Sequence, residues 1–167
     1  MSQKHRRYTL KAKESNKILS QVAKKLKINL EDTVGSVANI ETVETEFGQL
    51  LLIYGKPMLF KVGETVLPTL LAAEILAKLP KIVVDMGAVR FVCNGADVMA
   101  PGIRRYEGNF TKGDIAVILD EKYAKPLALG EVLYDSKEAA TVKQGPIAKT
   151  KHYVSDKIWI SAKPLTE

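Results

Sequence analysis

The sequence predicts an α+β protein of two domains. A small α+β domain spans residues 1–80, a small barrel of short strands with few helices spans 81–161, and a tail covers 162–167. One amphipathic helix and one hairpin pattern define the first domain. Beyond Pro80, short apolar runs alternate with Gly, Pro and Asp turns, which is typical of a small barrel. With 46% apolar and 26% charged residues, the 167-residue chain can bury cores of this size.

The first predicted element is a helix over residues 14–27. Starting from Ile18, apolar residues follow at i, i+1, i+4, i+5 and i+8, which is the stripe of an amphipathic helix. Ser15 or Asn16 is a suitable N-cap. The lysines fall outside the stripe, so we expect the helix to pack on one side and to present its cations on the other.

A hairpin and a second helix complete the first domain. Two apolar runs, QLLLIY and MLFKV, are joined by Gly55-Lys56-Pro57, which predicts a β-hairpin. Pro68 then stands where the first turn of a helix tolerates proline. The run TLLAAEILAKL therefore predicts a mostly buried helix that ends at Pro80.

The second domain begins with KIVVD, a short buried strand, and GAVRFVCN, a short helix. SKEAATVKQG predicts a further helix, with Ser136 as its N-cap and Gly145 at its far end. A barrel of short strands closes its own edges, and Trp159 is expected to pack at its end. Stacking on nucleic-acid bases is the alternative role of Trp159 and of the six tyrosines. The other predicted strands are ADVMA, DIAVILD, PLALGEVLYD and KIWI.

The positive charge of the chain is concentrated at its N-terminus. Residues 1–27 contain nine lysines and arginines and one acidic residue, a net +8, whereas the whole chain carries +6, so the remainder sums to −2. A basic segment beside a near-neutral body is typical of a polyanion-binding protein, and RNA or DNA is the commonest polyanion. A lysine-rich, solvated helix face without a partner explains the same charge.

Composition also restricts the compartment and the chemistry. No apolar run reaches the roughly 18 residues of a membrane span, and the N-terminus lacks the apolar segment of a secretory signal, which predicts a cytoplasmic protein. The single cysteine, Cys93, and the two histidines, His5 and His152, do not form a zinc-ligand pattern. We therefore expect neither a metal nor a cofactor.

Catalytic motifs are absent from the sequence. It contains no Gly-x-Ser-x-Gly elbow, P-loop, dinucleotide fingerprint or His-Glu-x-x-His. Cys93 lies in an apolar run and is expected to pack rather than to react. His152 has no evident partner, and Asp85 is better placed to cap a helix than to act in catalysis. The sequence therefore predicts that this chain is not an enzyme.

A stretch around Gly87 to Arg105 carries the best binding pattern. Gly87 lies at a strand-to-helix junction, where backbone amides can meet a phosphate, and Asn94-Gly95 predicts the end of the helix. Pro101-Gly102 predicts a turn directly before Arg104 and Arg105, whose planar guanidinium groups suit phosphate oxygens. Tight turns with two solvated arginines explain the same pattern.

The order of these motifs resembles a PUA domain, the RNA-binding module named after pseudouridine synthases and archaeosine transglycosylases. The resemblance covers residues 81–161 through VDMGAVRFVCNGADVMAPGI, F-x-x-GD-x-AVILDE, and LALGEVLYDS through KQGPIAKTKHYVSDKIW. The preceding segment, LLLIYGKPMLFKVGETVLPTLLAAEILAKLPKIVVD, is similar to the domain before PUA in translation reinitiation factors of the malignant-T-cell-amplified-sequence type and their archaeal relatives. The resemblance implies a mixed-strand pseudobarrel without enzymatic activity.

The resemblance also implies RNA contact through the first PUA helix, the glycine-bearing loop after it and the adjoining strand. Its implied partners are tRNA or the rRNA of the small ribosomal subunit, in translation initiation, reinitiation or ribosome recycling. An alternative is an accessory subunit of an RNA-modification or ribosome-biogenesis complex that docks a protein through the first domain. The expected RNA-contacting residues are Gly87, Ala88, Arg90, Asn94, Gly95, Ala96, Met99, Gly102 and Arg104 from the resemblance, Arg105 from its charge, and Lys17, Lys24 and Lys25 from the cationic helix.

Overall fold

The computed structural model of the protein describes residues 6–37 and 39–166, which divide into two units. The first unit contains the chain up to Lys78 and the segment from Lys157 onward, and the second is Leu79–Asp156. The first five residues of the predicted N-terminal domain and the last residue of the predicted tail lie outside the described residues. Both units mix helices with strands, which confirms the predicted α+β class.

A five-stranded antiparallel sheet forms the framework of the first unit. The predicted hairpin is confirmed, and its turn consists of Tyr54 and Gly55, both with positive φ (52° and 78°). This backbone follows the twist of the two strands that it joins. In their order across the sheet, the strands are β1 (Arg7–Thr9), β2 (Glu41–Glu44), β3 (Gln49–Ile53), β4 (Lys56–Val62) and β5 (Thr65–Pro68).

Helix α1 (Ala12–Leu26) confirms the predicted amphipathic helix, since Val22 and Leu26 are buried while its lysines are exposed. The predicted N-cap is wrong, because the helix begins before Ser15 and Asn16. Ser15 is buried in the first turn, and its hydroxyl accepts a hydrogen bond of 3.1 Å from the backbone N–H of Ile40. The serine thus joins α1 to the segment before β2 instead of capping the helix. A short helix, α2 (Leu30–Val34), follows α1.

The segment after β5 also differs from the prediction. Pro68 is the last residue of β5, and only Ala73–Leu76 forms a helix, α3. Thr69 explains the difference, because its N–H donates to the carbonyl of Met58 (2.9 Å) and its hydroxyl to the carbonyl of Pro57 (2.6 Å). These bonds hold Thr69 against β4, and the helix starts only after a turn at Leu70 and Leu71.

The second unit is built on a six-stranded sheet with the order β7-β11-β10-β9-β6-β8, in which β6 and β9 run parallel and the other neighbours antiparallel. Strands β7 and β8 stand at opposite ends of this order, yet only the 3₁₀ turn Ala100–Gly102 separates them in the chain. Because three residues span at most about 10 Å, the sheet must curl until its edges approach, which gives the predicted pseudobarrel. The strands are β6 (Lys81–Val84), β7 (Val98–Met99), β8 (Ile103–Glu107), β9 (Ile115–Asp120), β10 (Pro126–Val132) and β11 (Pro146–Tyr153).

Two helices lie between the strands of the second unit. Helix α4 (Met86–Val92) confirms the helix predicted after β6 and packs on the core through Val92. Helix α5 (Ser136–Ala139) is much shorter than predicted. The predicted cap at Ser136 is wrong, because this residue is already helical and its hydroxyl accepts a bond of 3.3 Å from the N–H of Phe110.

The KIWI run is a helix and not the predicted strand. Helix α6 (Lys157–Ala162) is followed by the 3₁₀ turn Lys163–Thr166, and both group with the first unit. Trp159 therefore belongs to the first unit and not to the barrel, where the sequence predicts it. Its ring centroid lies 5.3 Å from Nζ of Lys163. A four-residue apolar run fits one turn of a helix as well as a strand, so the pattern alone does not distinguish them.

Candidate nucleic-acid interface

The junction of β6 and α4 brings several predicted residues together. Oδ1 of Asp85 accepts a hydrogen bond of 2.9 Å from the N–H of Ala88, which confirms its predicted cap role. The N–H of Asp85 donates to the carbonyl of Gly102 at 2.9 Å. A Cβ atom on Gly102 would lie 3.1 Å from Cβ of Ala88, so a glycine lets the Ala100–Gly102 turn pack closely against the helix. An anion approaching Gly87 meets the Asp85 carboxylate, because this side chain already occupies the amide of Ala88.

The end of α4 confirms the helix stop predicted at Asn94-Gly95. Both N–H groups donate back to the last turn of the helix, and Gly95 has a φ of 89°. A Cβ atom on Gly95 would lie 3.0 Å from the ring of Tyr153, so packing restricts this position as well. The hydroxyl of Thr150 donates to the carbonyl of Ala96 at 2.8 Å. The predicted glycine-bearing loop is thus tied to β11.

Strand β8 carries the two adjacent arginines at the edge of the sheet. Its pairing with β6 aligns Val83 with Arg105 and Val84 with Ile103, so Arg104 is the extra residue of a bulge. Ile103 and Tyr106 both pack against the core although they are three positions apart, since the bulge adds one residue to the usual period of two. The side chains of Arg104 and Arg105 are consequently both exposed, by 60% and 57%. We call these two arginines, with the Ala100–Gly102 turn before them, the arginine edge.

Both arginines have a carboxylate neighbour. Nε of Arg104 lies 2.8 Å from Oε2 of Glu121, and Nε of Arg105 lies 3.2 Å from Oε2 of Glu107. Each bond uses one of the five N–H donors of a guanidinium group. Because exposed ion pairs contribute only about 0–1 kcal/mol, a phosphate can replace either carboxylate at small cost.

Several apolar side chains near the predicted residues are exposed. Met86 and Phe91 on α4 and Met99 on β7 are the large ones, and the guanidinium carbon of Arg90 lies 5.1 Å from the Phe91 ring centroid. The sequence predicts contact by Arg90 and Met99 but not by Met86 or Phe91. The exposure of Met86 and Phe91 depends on which face of the seven-residue helix α4 is buried. A sequence pattern this short does not define that face.

The predicted lysines belong to the first unit. Lys17, Lys24 and Lys25 are exposed residues of α1, in the first unit. Between them, the Gln21 side chain donates to the carbonyl of Glu64 at 2.8 Å, which holds this side of the helix against the β4–β5 turn. The lysines therefore form a candidate contact region on the first unit.

Cys93 and His152 are structural residues in this arrangement. Cys93 is half-buried against the core, and burial raises the pKa of its thiol, which favours the unreactive protonated form. His152 is fully buried on β11, with Nδ1 2.7 Å from Oδ2 of Asp156. The same carboxylate accepts from the N–H of Tyr153 at 2.9 Å. The histidine thus has a partner that the sequence does not reveal, and the pair closes the last turn of the second unit.

Sequence reasoning missed the loop between β9 and β10, residues 121–125. Its Tyr123 side chain is exposed and lies close to two lysine ammonium groups. The sequence EKYAK contains a basic and aromatic signal, but one tyrosine among six is not distinctive until its exposure is known.

Family comparisons agree with the two units. The PUA domain profile matches residues 80–154, and a domain of unknown function, DUF1947, matches residues 6–74. The chain therefore contains a DUF1947 domain followed by a PUA domain, which is an RNA-binding domain. This result confirms the predicted resemblance.

The relatives define the family more closely. An uncharacterized protein of Methanocaldococcus jannaschii is 36% identical over 151 residues, which are 87% of this chain and 92% of that protein. Translation machinery-associated protein 20 of Saccharomyces cerevisiae is 28% identical over 159 residues, 90% of this chain and 85% of that protein. The chain belongs to this family of PUA-domain proteins with an N-terminal DUF1947 domain.

One further comparison concerns the fold, and another concerns an enzyme that is similar to part of this chain. A PUA domain structure from Aeropyrum pernix K1 has a TM-score of 0.85 at 23% identity and covers 98% of this chain and 95% of that chain, which shows a common fold. A probable tRNA pseudouridine synthase B of Pyrobaculum arsenaticum is 40% identical over 81 residues, 48% of this chain but only 24% of that enzyme.

Among the helices of residues 6–37 and 39–166, none has the length and apolar character needed to span a membrane.

Proposed function

We propose that this protein binds structured RNA, either tRNA or the rRNA of the small ribosomal subunit, in the cytoplasm and without catalysing a reaction. The proposed role is in translation initiation, reinitiation or ribosome recycling. The observation that carries the proposal is the bulge in β8, which exposes Arg104 and Arg105 at the edge of a PUA domain.

The geometry of the arginine edge suits an RNA backbone. The Ala100–Gly102 turn is held by the Asp85–Gly102 bond, so the arginines start from a fixed backbone. Guanidinium groups bind phosphate oxygens in a bidentate manner, and both can exchange weak surface carboxylates for phosphates. In this proposal the α4–β7 loop, from Asn94 to Ala96, and exposed Met99 extend the contact along the barrel, while Lys17, Lys24 and Lys25 provide phosphate contacts on the first unit.

The family supports a role in translation rather than in RNA modification. The similarity to translation machinery-associated protein 20 extends over 90% of this chain. The similarity to a pseudouridine synthase is confined to 24% of that enzyme. We therefore assign the chain RNA recognition and not chemistry.

The test is the double variant Arg104→Ala/Arg105→Ala. The slope of log affinity against log salt is negative, and each phosphate contact contributes about one unit to its magnitude. The double variant should therefore make the slope shallower by up to about two units. Near physiological salt, we expect its affinity for a tRNA transcript to fall by about 20-fold. Fluorescence anisotropy over roughly 50 to 300 mM KCl measures both quantities.

A matched control removes the same charge elsewhere in the second unit. Lys137 and Lys143 are exposed lysines outside the arginine edge, so Lys137→Ala/Lys143→Ala should change affinity and slope much less. Equal effects of the two double variants would contradict the placement of the interface. If the full chain binds neither a tRNA transcript nor small-subunit rRNA, the proposed function is wrong, and the accessory protein-docking role becomes the better hypothesis.

A further inference from the structure

The loop between β9 and β10 presents an aromatic ring with two cations. Tyr123 is 60% exposed at the tip of this loop. Nζ of Lys122 lies 5.2 Å from its ring centroid, and Nζ of Lys125 lies 5.8 Å from it. Exposed tyrosine next to ammonium groups combines a surface for stacking with charge for phosphates, which are the two components of single-stranded RNA sites.

A buried carboxylate fixes the loop. Asp120, only 3% exposed, accepts hydrogen bonds from the backbone N–H groups of Lys122, Tyr123 and Lys125. Ala124 has a positive φ of 53°, and its N–H donates to the carbonyl of Asp120. The backbone under the tyrosine is therefore ordered before any ligand arrives, so binding need not pay the full entropy of ordering a flexible loop.

The loop begins directly beside the arginine edge. The N–H of Glu121 donates to the carbonyl of Val84 at 2.9 Å, and its carboxylate pairs with Arg104. The aromatic loop and the edge strand β8 are thus linked through one residue. A strand of RNA whose phosphates reach Arg104 has its next nucleotides within reach of this loop.

We propose that Tyr123 is a stacking platform for an unpaired base of the bound RNA, with Lys122 and Lys125 holding the phosphates beside that base. This inference rests on the proposed function, since it assigns a second contact to the same RNA. Stacking on a tyrosine is tolerant of base identity, so the platform recognises an unpaired nucleotide rather than a sequence.

The experiment compares Tyr123→Ala, Tyr123→Phe and Tyr123→Trp in the full chain, with two probes. One probe is a tRNA transcript with its single-stranded 3′ end, and the other is a blunt-ended RNA duplex in which every nucleotide is paired. The alanine variant should lose at least about 5-fold in affinity for the tRNA transcript and nothing for the duplex, because loss of one stacked base weakens binding by that order. The phenylalanine and tryptophan variants should retain the affinity.

Tyr54 supplies the matched control. It is 69% exposed in the first unit, so Tyr54→Ala makes the same chemical change at another surface tyrosine. A purely structural role of Tyr123 would lower the affinity for both probes or neither. Equal tRNA affinity of Tyr123→Ala and the unaltered chain, while Arg104→Ala/Arg105→Ala is weakened, would overturn the platform and leave the proposed function intact. Absence of RNA binding by the unaltered chain would overturn both.

Discussion

Replacement of Asp120 by asparagine tests whether this carboxylate orders the loop under Tyr123. Oδ1 of Asp120 accepts the N–H groups of Lys122 and Tyr123, and Oδ2 accepts that of Lys125 at 3.1 Å. An asparagine has a single carbonyl oxygen. If that oxygen accepts the N–H groups of Lys122 and Tyr123, the NH₂ group of the asparagine faces the N–H of Lys125, and two donors then meet. We therefore expect Asp120→Asn to lose one charge-assisted bond and to weaken two.

The size of the effect follows from these bonds. A lost bond to a buried charged group costs about 1.5–3 kcal/mol, and a bond that changes from a charged to a neutral acceptor loses about 0.5–1 kcal/mol. The free energy of unfolding of the second unit should thus fall by about 2.5–5 kcal/mol. Urea unfolding followed by circular dichroism measures it, and hydrogen exchange of the amides of Lys122, Tyr123 and Lys125 reports on the loop itself.

The pH dependence gives a second, independent result. Burial by itself raises the pKa of Asp120, but the backbone N–H groups that it accepts outweigh burial and hold the pKa below its ordinary value. A lowered native pKa means that the stabilisation is complete above about pH 4 and is lost as the pH falls through the native pKa. The stability difference between the unaltered chain and Asp120→Asn should therefore be constant near neutral pH and shrink in acid.

The control for this prediction is Asp97→Asn. Asp97 is exposed in the same unit and accepts the N–H of Thr150 at 3.2 Å, so an asparagine oxygen can replace it with a loss below about 1 kcal/mol. If Asp120→Asn were as stable as this control, with unchanged hydrogen exchange in the loop, the Asp120 carboxylate would not be what orders the loop.

Two further predictions concern the backbone around the two sheets. Asp85→Ala removes the cap of α4 and should destabilise the second unit by about 1 kcal/mol in urea unfolding, whereas Asp85→Asn, which can still cap, should have little effect. Gly48→Ala should destabilise the first unit by more than about 3 kcal/mol, because its Cβ would overlap the carbonyl oxygen of Lys61 at a φ of 150°. Unfolding followed by the fluorescence of Trp159, the single tryptophan, measures this loss, and a stable variant would show that β3 and β4 can separate at Gly48.

Local signals explain which elements could be predicted from the sequence. Helix α1 follows from a 3.6-residue period, the β3–β4 hairpin from two apolar runs around a glycine, and α4 from Asp85 before a short apolar stretch. The failures arise where distant residues decide. Thr69, directly after β5, is bound to the carbonyls of Pro57 and Met58, and such bonds leave no periodic trace in the run that follows Pro68.

The candidate site also combines features that the sequence predicts with one that it does not. Glycine turns and the arginine pair are visible in the sequence, but the run IRRYE does not reveal that Arg104 is the inserted residue of a bulge. A regular strand would direct two adjacent side chains to opposite faces, and one arginine would then point toward the core. Only the register with β6 shows why both are exposed.

The contributions of charge and of stacking to RNA affinity can be measured separately, because Arg104 and Tyr123 are held by different residues. Glu121 contacts the arginine edge and can be released when a phosphate binds Arg104, whereas Tyr123 is held through Asp120, which makes no part of that ion pair. The arginine variant should therefore change the salt dependence of RNA affinity, while Tyr123→Ala should weaken affinity for unpaired RNA at an unchanged salt slope. Since an exposed ion pair contributes little, the exchange of Glu121 for phosphate leaves the platform in place. In the proposed complex, RNA therefore contacts the arginine edge and stacks on Tyr123 without a rearrangement of the barrel.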